Sequence, residues 1–344
     1  MELTKRLYLL DRLASYILEE NDAALVPVIE RSILQNPWYT KESVRHALLT
    51  ISTFYLAKSK TSQWIQECGI HLDRKNTKTK RVGLVLAGNI PMVGLHDILC
   101  VFISGHHAVI KYSHKDKVLI PHLLEKLAEW DARMKETFTE VERLVDIDAV
   151  IATGGNTAAT HFRSYFGKYP HIIRKNRSSI AVLHGDETEE ELIALGRDVF
   201  TYFGLGCRNV SKVLVPNGYK WDGFYEAIYA DFHHVIDHHK YKNNYDYTHA
   251  IYLLGQHPFL TNNFLIIREE ESMTSRISCI HYEYYNQIDE LEEKIATAAE
   301  SIQCVASNKA IGDIQTTRLG DCQSPGLADY ADGVDTIKFL SELS

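Results

Sequence analysis

Apolar residues in the first part of the chain recur at spacings of three and four, as on one face of a helix. The pattern runs through Leu7, Leu10 and Leu13 and returns through Val44 and Leu48. It predicts helices from residue 1 to about residue 75. Charged residues occur throughout the first helix, which has neither the uninterrupted apolar core nor the cleavage site of a signal peptide.

From Arg81 onward, short apolar runs alternate with amphipathic segments. The runs predict strands in VGLVLAG (82–88), HHAVIKYS (106–113), IDAVIATGG (147–155), HIIRK (171–175), SIAVLHG (179–185), KVLVP (212–216), FLIIRE (264–269) and RISCIHYEY (276–284). The amphipathic segments predict helices over Leu95–Ser104, Lys117–Trp130, Asn156–Phe166, Glu187–Phe203, Trp221–His239 and Asp289–Ala306. A last strand and helix are predicted in ADGVDTIKFLSEL (331–343).

Strands that alternate with helices of this length indicate βαβ units, a parallel sheet and an α/β fold. Ligands of such sheets bind beyond the carboxyl ends of the strands. Three segments follow predicted strands in this way: Gly88–Pro91, Lys111–Ser113 and Thr153–Asn156. We therefore expect a binding site among them.

Composition narrows the functional classes. The chain has 344 residues and a formal net charge of −8. It has no excess of basic residues that could neutralise a phosphate backbone, so nucleic acid is not an expected partner. The apolar stretch 82–105 is interrupted by Asn89, Pro91, His96 and Asp97, which argues against a membrane span. The six cysteines include no Cys-x-x-Cys pair, which argues against a zinc site or a disulfide framework. We expect a cytoplasmic protein.

Cys207 lies in YFGLGCRNVSKVLVP, where Gly204 and Gly206 predict a tight turn between a helix and a strand. Backbone N–H groups in such a turn can stabilise a thiolate and a developing oxyanion. The alternative is a small buried cysteine that only packs, as most unpaired cysteines do.

Four motifs occur in order at the predicted strand ends: LAGNIP, VIKYS, ATGG and GLGC. Together they resemble the aldehyde dehydrogenase superfamily, and most closely its long-chain acyl-CoA reductase branch, the LuxC family. The likeness runs from about Arg81 to the closing DCQSPGLADYADGVDTIKFL. It implies a Rossmann-type cofactor domain with the helical N-terminal region in 1–180, an α/β catalytic domain in 181–320, and a segment 321–344 that returns to the body. It also places Cys207 toward the crevice between the domains.

The resemblance implies roles for the matching positions. Cys207 would be the nucleophile, and the side-chain amide of Asn89 would face the oxyanion. The residues matched to cofactor binding are Lys111, Ser113, Thr153, Gly154, Gly155, Asn156 and, less directly, Glu271. Outside the resemblance, a turn asparagine, a solvated lysine and a Gly-Gly turn need no ligand. The cofactor implied is NADPH, with NADH the alternative, because no acid stands at Tyr112–His114 to bind a ribose hydroxyl.

The sequence departs from hydrolytic aldehyde dehydrogenases in one respect. Their water-activating glutamate would fall in His171–Ser179, which reads HIIRKNRSS and contains no carboxylate. Asp186 and Glu187 come later, at a predicted helix start, as capping residues. Without a general base, water attacks a thioester poorly, whereas a thiol needs little help. The substrate implied is therefore acyl-CoA or an acyl-carrier thioester. An acyl-transferring partner protein and a homo-oligomer are compatible with the resemblance.

Other interpretations stay open. HHVIDHH (233–239) offers histidines at i and i+4 on a helix, a zinc-binding spacing, although most such clusters are exposed polar faces and the resemblance implies no metal. The chain could also bind acyl groups without reducing them, hydrolyse its acyl-enzyme with another base, or act as a scaffold.

Overall fold

A computed structural model describes residues 1–19, 22–68 and 78–343. The N-terminal region contains α1 (Leu3–Leu18), α2 (Asp22–Gln35), α3 (Lys41–Ile51), a π-helical turn (Ser52–Leu56) and α4 (Lys58–Cys68). The apolar face of α1 is buried, with Leu9, Leu10 and Leu13 at most 1% exposed. The predicted helices are confirmed as far as residue 68. Their predicted continuation to about residue 75 lies outside the described residues.

A five-stranded parallel sheet follows. Its elements in chain order are β1 (Arg81–Val85), α5 (Leu95–Ile103), β2 (His107–Lys111), α6 (Leu119–Trp130), α7 (Met134–Thr137), β3 (Phe138–Glu140), β4 (Ala149–Thr153), α8 (Asn156–Phe166) and β5 (His171–Arg174). The strand order is β3-β2-β1-β4-β5, and every pairing is parallel. The order reverses at β1, with β2 on one side and β4 on the other, as in dinucleotide-binding sheets.

A second sheet is built from the following residues. Its elements are β6 (Ser178–Val182), α9 (Glu189–Phe200), β7 (Val210–Pro216), α10 (Asp222–Phe232), α11 (His239–Leu254), β8 (Leu260–Thr261), β9 (Ile266–Glu269), β10 (Cys279–Tyr285), α12 (Ile288–Ala298) and β11 (Ile302–Ala306). The order is β11-β6-β7-β10-β9-β8, and only the short edge strand β8 is antiparallel to its neighbour.

Two predicted helices end earlier than expected, and one predicted strand is wrong. The helix predicted over Trp221–His239 ends at Phe232, and a 3₁₀ turn (His233–Asp237) leads to an extended His238 that starts α11. The helix predicted over Asp289–Ala306 ends at Ala298, because its last residues pair with β6 as β11. The predicted strand in 331–343 is a 3₁₀ turn (Ala331–Gly333), followed by the helix α13 (Thr336–Ser341).

The chain divides into two compact units. The first contains Met1–Asn176 together with Pro325–Ser344, and the second contains Arg177–Ser324. Within the first unit, the buried guanidinium of Arg174 donates to Asp97 Oδ2 at 2.6 Å and to Thr336 Oγ1 at 3.1 Å. This contact attaches the C-terminal helix to the end of β5. None of the described helices combines the length and the apolar composition that a membrane span requires.

Candidate active site

The carboxyl edge of the first sheet collects most of the residues matched to cofactor and oxyanion binding. Parallel register places Val85, the last residue of β1, beside Lys111 and Ala152. Asn89 and Ser113 lie in the turns that follow β1 and β2, and Thr153–Asn156 runs from the last residue of β4 to the first residue of α8. Three segments that are far apart in sequence therefore start from one edge of one sheet.

The turn after β1 is in close contact with the turn after β2. A Cβ added to Gly88 would lie 2.7 Å from Ser113 Cβ, so only glycine fits there. The Gly88 carbonyl accepts from Asn36 Nδ2 at 3.3 Å, and the left-handed Met92 (φ 57°) donates its N–H to Asp116 Oδ2 at 2.8 Å. The turn that carries the half-buried Asn89 is thus held on both sides.

Asp116 is a buried acid beneath this turn. It is 3% exposed, and burial raises its pKa from 3.8 to about 7, against the smaller effects of the Met92 N–H and the Tyr39 hydroxyl. Its Oδ1 has no hydrogen-bond partner among the described residues. The carboxyl group therefore titrates near neutral pH and is hydrogen-bonded to Met92, in the turn that also contains Asn89.

The turn after β4 leads into the N-terminus of α8. A Cβ on Gly154 would meet Ala158 Cβ at 2.9 Å, so glycine allows the turn to pack on the helix. Gly155 is exposed and is the N-cap of α8, where it has no side chain to accept from the first N–H groups of the helix. The first turn of α8 contains no acidic residue. Asn156 Oδ1 accepts from the Asn176 N–H at 3.2 Å. A helix start of this kind suits a phosphate group.

Lys111 and His114 are exposed, and Ser113 is half-buried with its hydroxyl accepting from the Lys115 N–H at 3.3 Å. The nearest acid along the chain, Asp116, faces Met92 in the interior. The segment after β2 therefore presents no carboxylate of its own between Lys111 and Lys115.

Cys207 belongs to the second unit, in the turn between α9 and β7. All six cysteines are described, and Cys207 is the exposed one among them. The approach to it is left-handed at three successive residues, Tyr202 (φ 54°), Phe203 (φ 58°) and Gly204 (φ 76°). For each of the two aromatic residues this conformation costs about 1–2 kcal/mol. The hypothesis of a packed, buried cysteine is wrong.

A second thiol, that of Cys304, lies close to this turn. The sequence pattern does not predict it. Ser179 Oγ donates to the Cys207 carbonyl at 3.0 Å and lies 2.9 Å from Cys304 Sγ. The hydrogen bond with Cys322 lowers the pKa of Cys304 and raises that of Cys322. No sequence signal indicates this group, because the pattern over residues 289–306 predicts a helix, whereas Cys304 lies on the strand β11.

Glu271 is exposed in the loop between β9 and β10. Its carbonyl accepts from Lys212 Nζ at 2.6 Å, and that lysine is fully buried and also paired with Glu283. Burial lowers the pKa of Lys212. The loop that carries Glu271 is thus anchored to β7, while its side chain faces solvent.

The residues predicted as helix caps have other partners. The N-cap of α9 is Thr188, whose hydroxyl accepts from the Glu191 N–H at 3.3 Å in a capping box. Glu187 accepts from the N–H of Gly185 at 3.0 Å, and Asp186 pairs with Lys309. The prediction that Asp186 and Glu187 cap the helix is therefore wrong.

The histidine-rich segment does not form one helical face. Its 3₁₀ turn ends before the extended His238, which breaks the i, i+4 spacing between His234 and His238. The ring of His238 packs on Phe203, with centroids 4.2 Å apart. Among the described residues, no group of three or more His, Cys, Asp or Glu is arranged to hold a metal ion.

Comparison with known proteins identifies the architecture. No protein-family model and no curated protein sequence matches the chain. Among solved structures, aldehyde dehydrogenase 21 from Physcomitrella patens superposes with a TM-score of 0.66 at 12% identity, covering 99% of this chain and 84% of its own. An aldehyde dehydrogenase from Mycobacterium tuberculosis, complexed with NAD+, gives 0.63 at 15% identity, covering 94% and 75%. The chain has the aldehyde-dehydrogenase fold.

An indole-3-acetaldehyde dehydrogenase complexed with NAD+ shares this fold, with a TM-score of 0.61 at 13% identity and coverage of 94% and 74%. The predicted fold class is confirmed. At these identities the likeness to aldehyde dehydrogenases concerns the fold alone, so the acyl-CoA reductase branch stays a prediction.

Proposed function

We propose that this protein reduces an acyl thioester, acyl-CoA or an acyl-carrier thioester, to an aldehyde with NADPH as hydride donor. The observation that carries the proposal is the exposure of Cys207 on a tightly constrained turn of an aldehyde-dehydrogenase fold. An exposed sulfur can reach a carbonyl carbon, and a constrained turn holds backbone N–H groups in place before the reaction.

The reaction would begin with attack of the Cys207 thiolate on the thioester carbonyl. The oxyanion would be stabilised by the Cys207 backbone N–H and by the side-chain amide of Asn89. The carrier thiol then leaves with a proton, and the acyl group stays on Cys207 as a thioester. After reduction of that carbonyl, the hemithioacetal collapses, the aldehyde departs and the Cys207 thiol is restored.

Water is the competing nucleophile at the acyl-enzyme stage. The segment 171–179, where hydrolytic aldehyde dehydrogenases would have their base, contains no carboxylate. Asp186 and Glu187 are engaged by Lys309 and by backbone N–H groups. The acyl group on Cys207 should therefore survive until it is reduced.

The first unit offers a suitable site for a nicotinamide dinucleotide. The uncapped start of α8 at Gly155 and Asn156 would hold the pyrophosphate, and Thr153 and Gly154 would line the approach. Lys111, Ser113 and His114 would face the adenine ribose, where the lack of a carboxylate favours the 2′-phosphate of NADPH over NADH. Glu271 is the carboxylate proposed for the nicotinamide ribose. When bound, the reduced nicotinamide supplies the hydride.

The test is incubation of the purified protein with acyl-CoAs of several chain lengths and NADPH. We expect one thiol to be released for each NADPH oxidised, and no turnover in Cys207→Ala. Cys304→Ser is the matched control and should retain activity, because Ser179 keeps a hydroxyl partner there.

Two results would overturn the proposal. Acylation of Cys207 without any NADPH oxidation would identify an acyl-binding protein. Steady oxidation of aldehydes in the absence of CoA would identify a hydrolytic aldehyde dehydrogenase.

A further inference from the structure

The turn before Cys207 requires contacts that hold it in place. Left-handed backbone at Tyr202 and Phe203 is unfavourable for side chains with a Cβ, and it persists only where the surroundings impose it. Packing of Phe203 on His238 and Tyr241 fixes one side of the turn. The other side, toward the sulfur, is fixed by hydrogen bonds.

Asn209, two residues after the cysteine, supplies those hydrogen bonds. It is 3% exposed, and its Oδ1 accepts from the Gly206 N–H at 2.8 Å. Its Nδ2 donates to three carbonyl oxygens at the end of α9, those of Asp198 (2.9 Å), Val199 (3.2 Å) and Thr201 (2.7 Å). One side chain thus joins the end of the helix to the residue directly before Cys207.

The chemistry of this position is specific to asparagine. The three carbonyls need a donor, and the Gly206 N–H needs an acceptor, so the side chain must be both. An ionised aspartate has the same shape, but it would place oxygen against three carbonyl oxygens. A carbonyl at the C-terminus of a helix is also the negative end of its dipole, which makes a carboxylate still less favourable there.

We propose that Asn209 is the positioning residue for Cys207: its amide fixes the turn that aims the sulfur and the Cys207 backbone N–H at the substrate carbonyl. The effect of Asn209 on catalysis rests on the proposed function. The structural part of the inference, control of the cysteine turn, can be measured without any substrate.

The test compares the wild type with Asn209→Asp. At pH about 8 we expect kcat for acyl thioester reduction to fall at least about tenfold, with KM for NADPH within about twofold, because misplacing a reacting group lowers the rate of chemistry. The rate of Cys207 alkylation by iodoacetamide, followed by peptide mass spectrometry, should change by a similar factor. Both effects should diminish as pH is lowered toward about 5, because a protonated carboxyl group donates again.

Asn262→Asp is the matched control. Asn262 Oδ1 accepts from the N–H groups of Phe264 and Leu265, whereas its Nδ2 has no partner among the described residues, so aspartate keeps every hydrogen bond. This variant should match the wild type in kcat, in KM for NADPH and in the rate of Cys207 alkylation. An Asn209→Asp protein with wild-type kcat and wild-type alkylation rates at every pH would overturn the proposal.

A further measurement needs no variant. Hydrogen exchange on the wild type should show the Gly206 amide protected, since it donates to Asn209 Oδ1, and an unprotected amide there would also overturn the inference. If the wild type reduced no acyl thioester, the proposed function would fail, while alkylation and exchange would still decide the role of Asn209.

Discussion

Replacement of Asp116 by asparagine should make the protein more stable, and by an amount that grows with pH. In the fold the pKa of Asp116 is raised from 3.8 to about 7 by burial. Between pH 3.8 and about 7, Asp116 therefore keeps its proton in the folded protein, whereas it has lost this proton in the unfolded chain. Stability from this group is present below pH about 4 and is lost as pH rises toward 7 and above.

The magnitude follows from the two pKa values of Asp116. A difference of about three pH units corresponds to about 4 kcal/mol, of which about 2–3 kcal/mol falls between pH about 5 and about 8. Asparagine keeps an oxygen for the Met92 N–H and replaces the unpartnered Oδ1 by a neutral group. The stability difference between Asp116→Asn and wild type should widen by that amount over this pH range.

Urea unfolding followed by tryptophan fluorescence measures this difference, because three of the four tryptophans lie in the first unit. Asp146→Asn is the control, since Asp146 is exposed and its left-handed φ of 52° suits asparagine. Its difference from wild type should not vary with pH. A difference between Asp116→Asn and wild type that is equally independent of pH would refute the argument that Asp116 is buried and protonated near neutrality.

Three further substitutions test other parts of the first unit. Gly154→Ala places a Cβ 2.9 Å from that of Ala158 and should lower the unfolding free energy by about 1–3 kcal/mol; an unchanged value would show that the turn is not tightly packed. Arg174→Met leaves Asp97 buried without its cation and should cost about 3–5 kcal/mol in urea unfolding, so a neutral effect would contradict the ion pair. His114→Glu should shift the ratio of kcat/KM values from NADPH toward NADH, and unchanged selectivity would show that this edge does not contact the ribose phosphate.

The local hydrophobic pattern predicts an element correctly where burial of one or both of its faces determines its structure. The helix Asn156–Phe166 was predicted with its observed bounds, and the strands of the first sheet appear where their apolar runs lie. The three strand-end segments meet at one edge because parallel strands share a direction, which the alternation of strands and helices already implies.

Several differences from the predicted elements depend on contacts that a local hydrophobic pattern does not show. Ile302–Ala306 continues an amphipathic run, and it becomes a strand because β6 offers a free edge for pairing. The left-handed backbone at Tyr202 and Phe203 contradicts the preference of aromatic residues and is held by Asn209 and His238. The proximity of Cys304 to the cysteine turn depends on the same strand pairing.

The most direct test of the proposed reaction is to trap the acyl group on the protein. The wild type is mixed with an acyl-CoA in the absence of NADPH, and the intact protein and its peptides are analysed by mass spectrometry. We predict one acyl group, located on Cys207, that persists in water and disappears with formation of aldehyde when NADPH is added. An acyl group on Cys304, no acyl group at all, or rapid loss to water without NADPH would contradict the account.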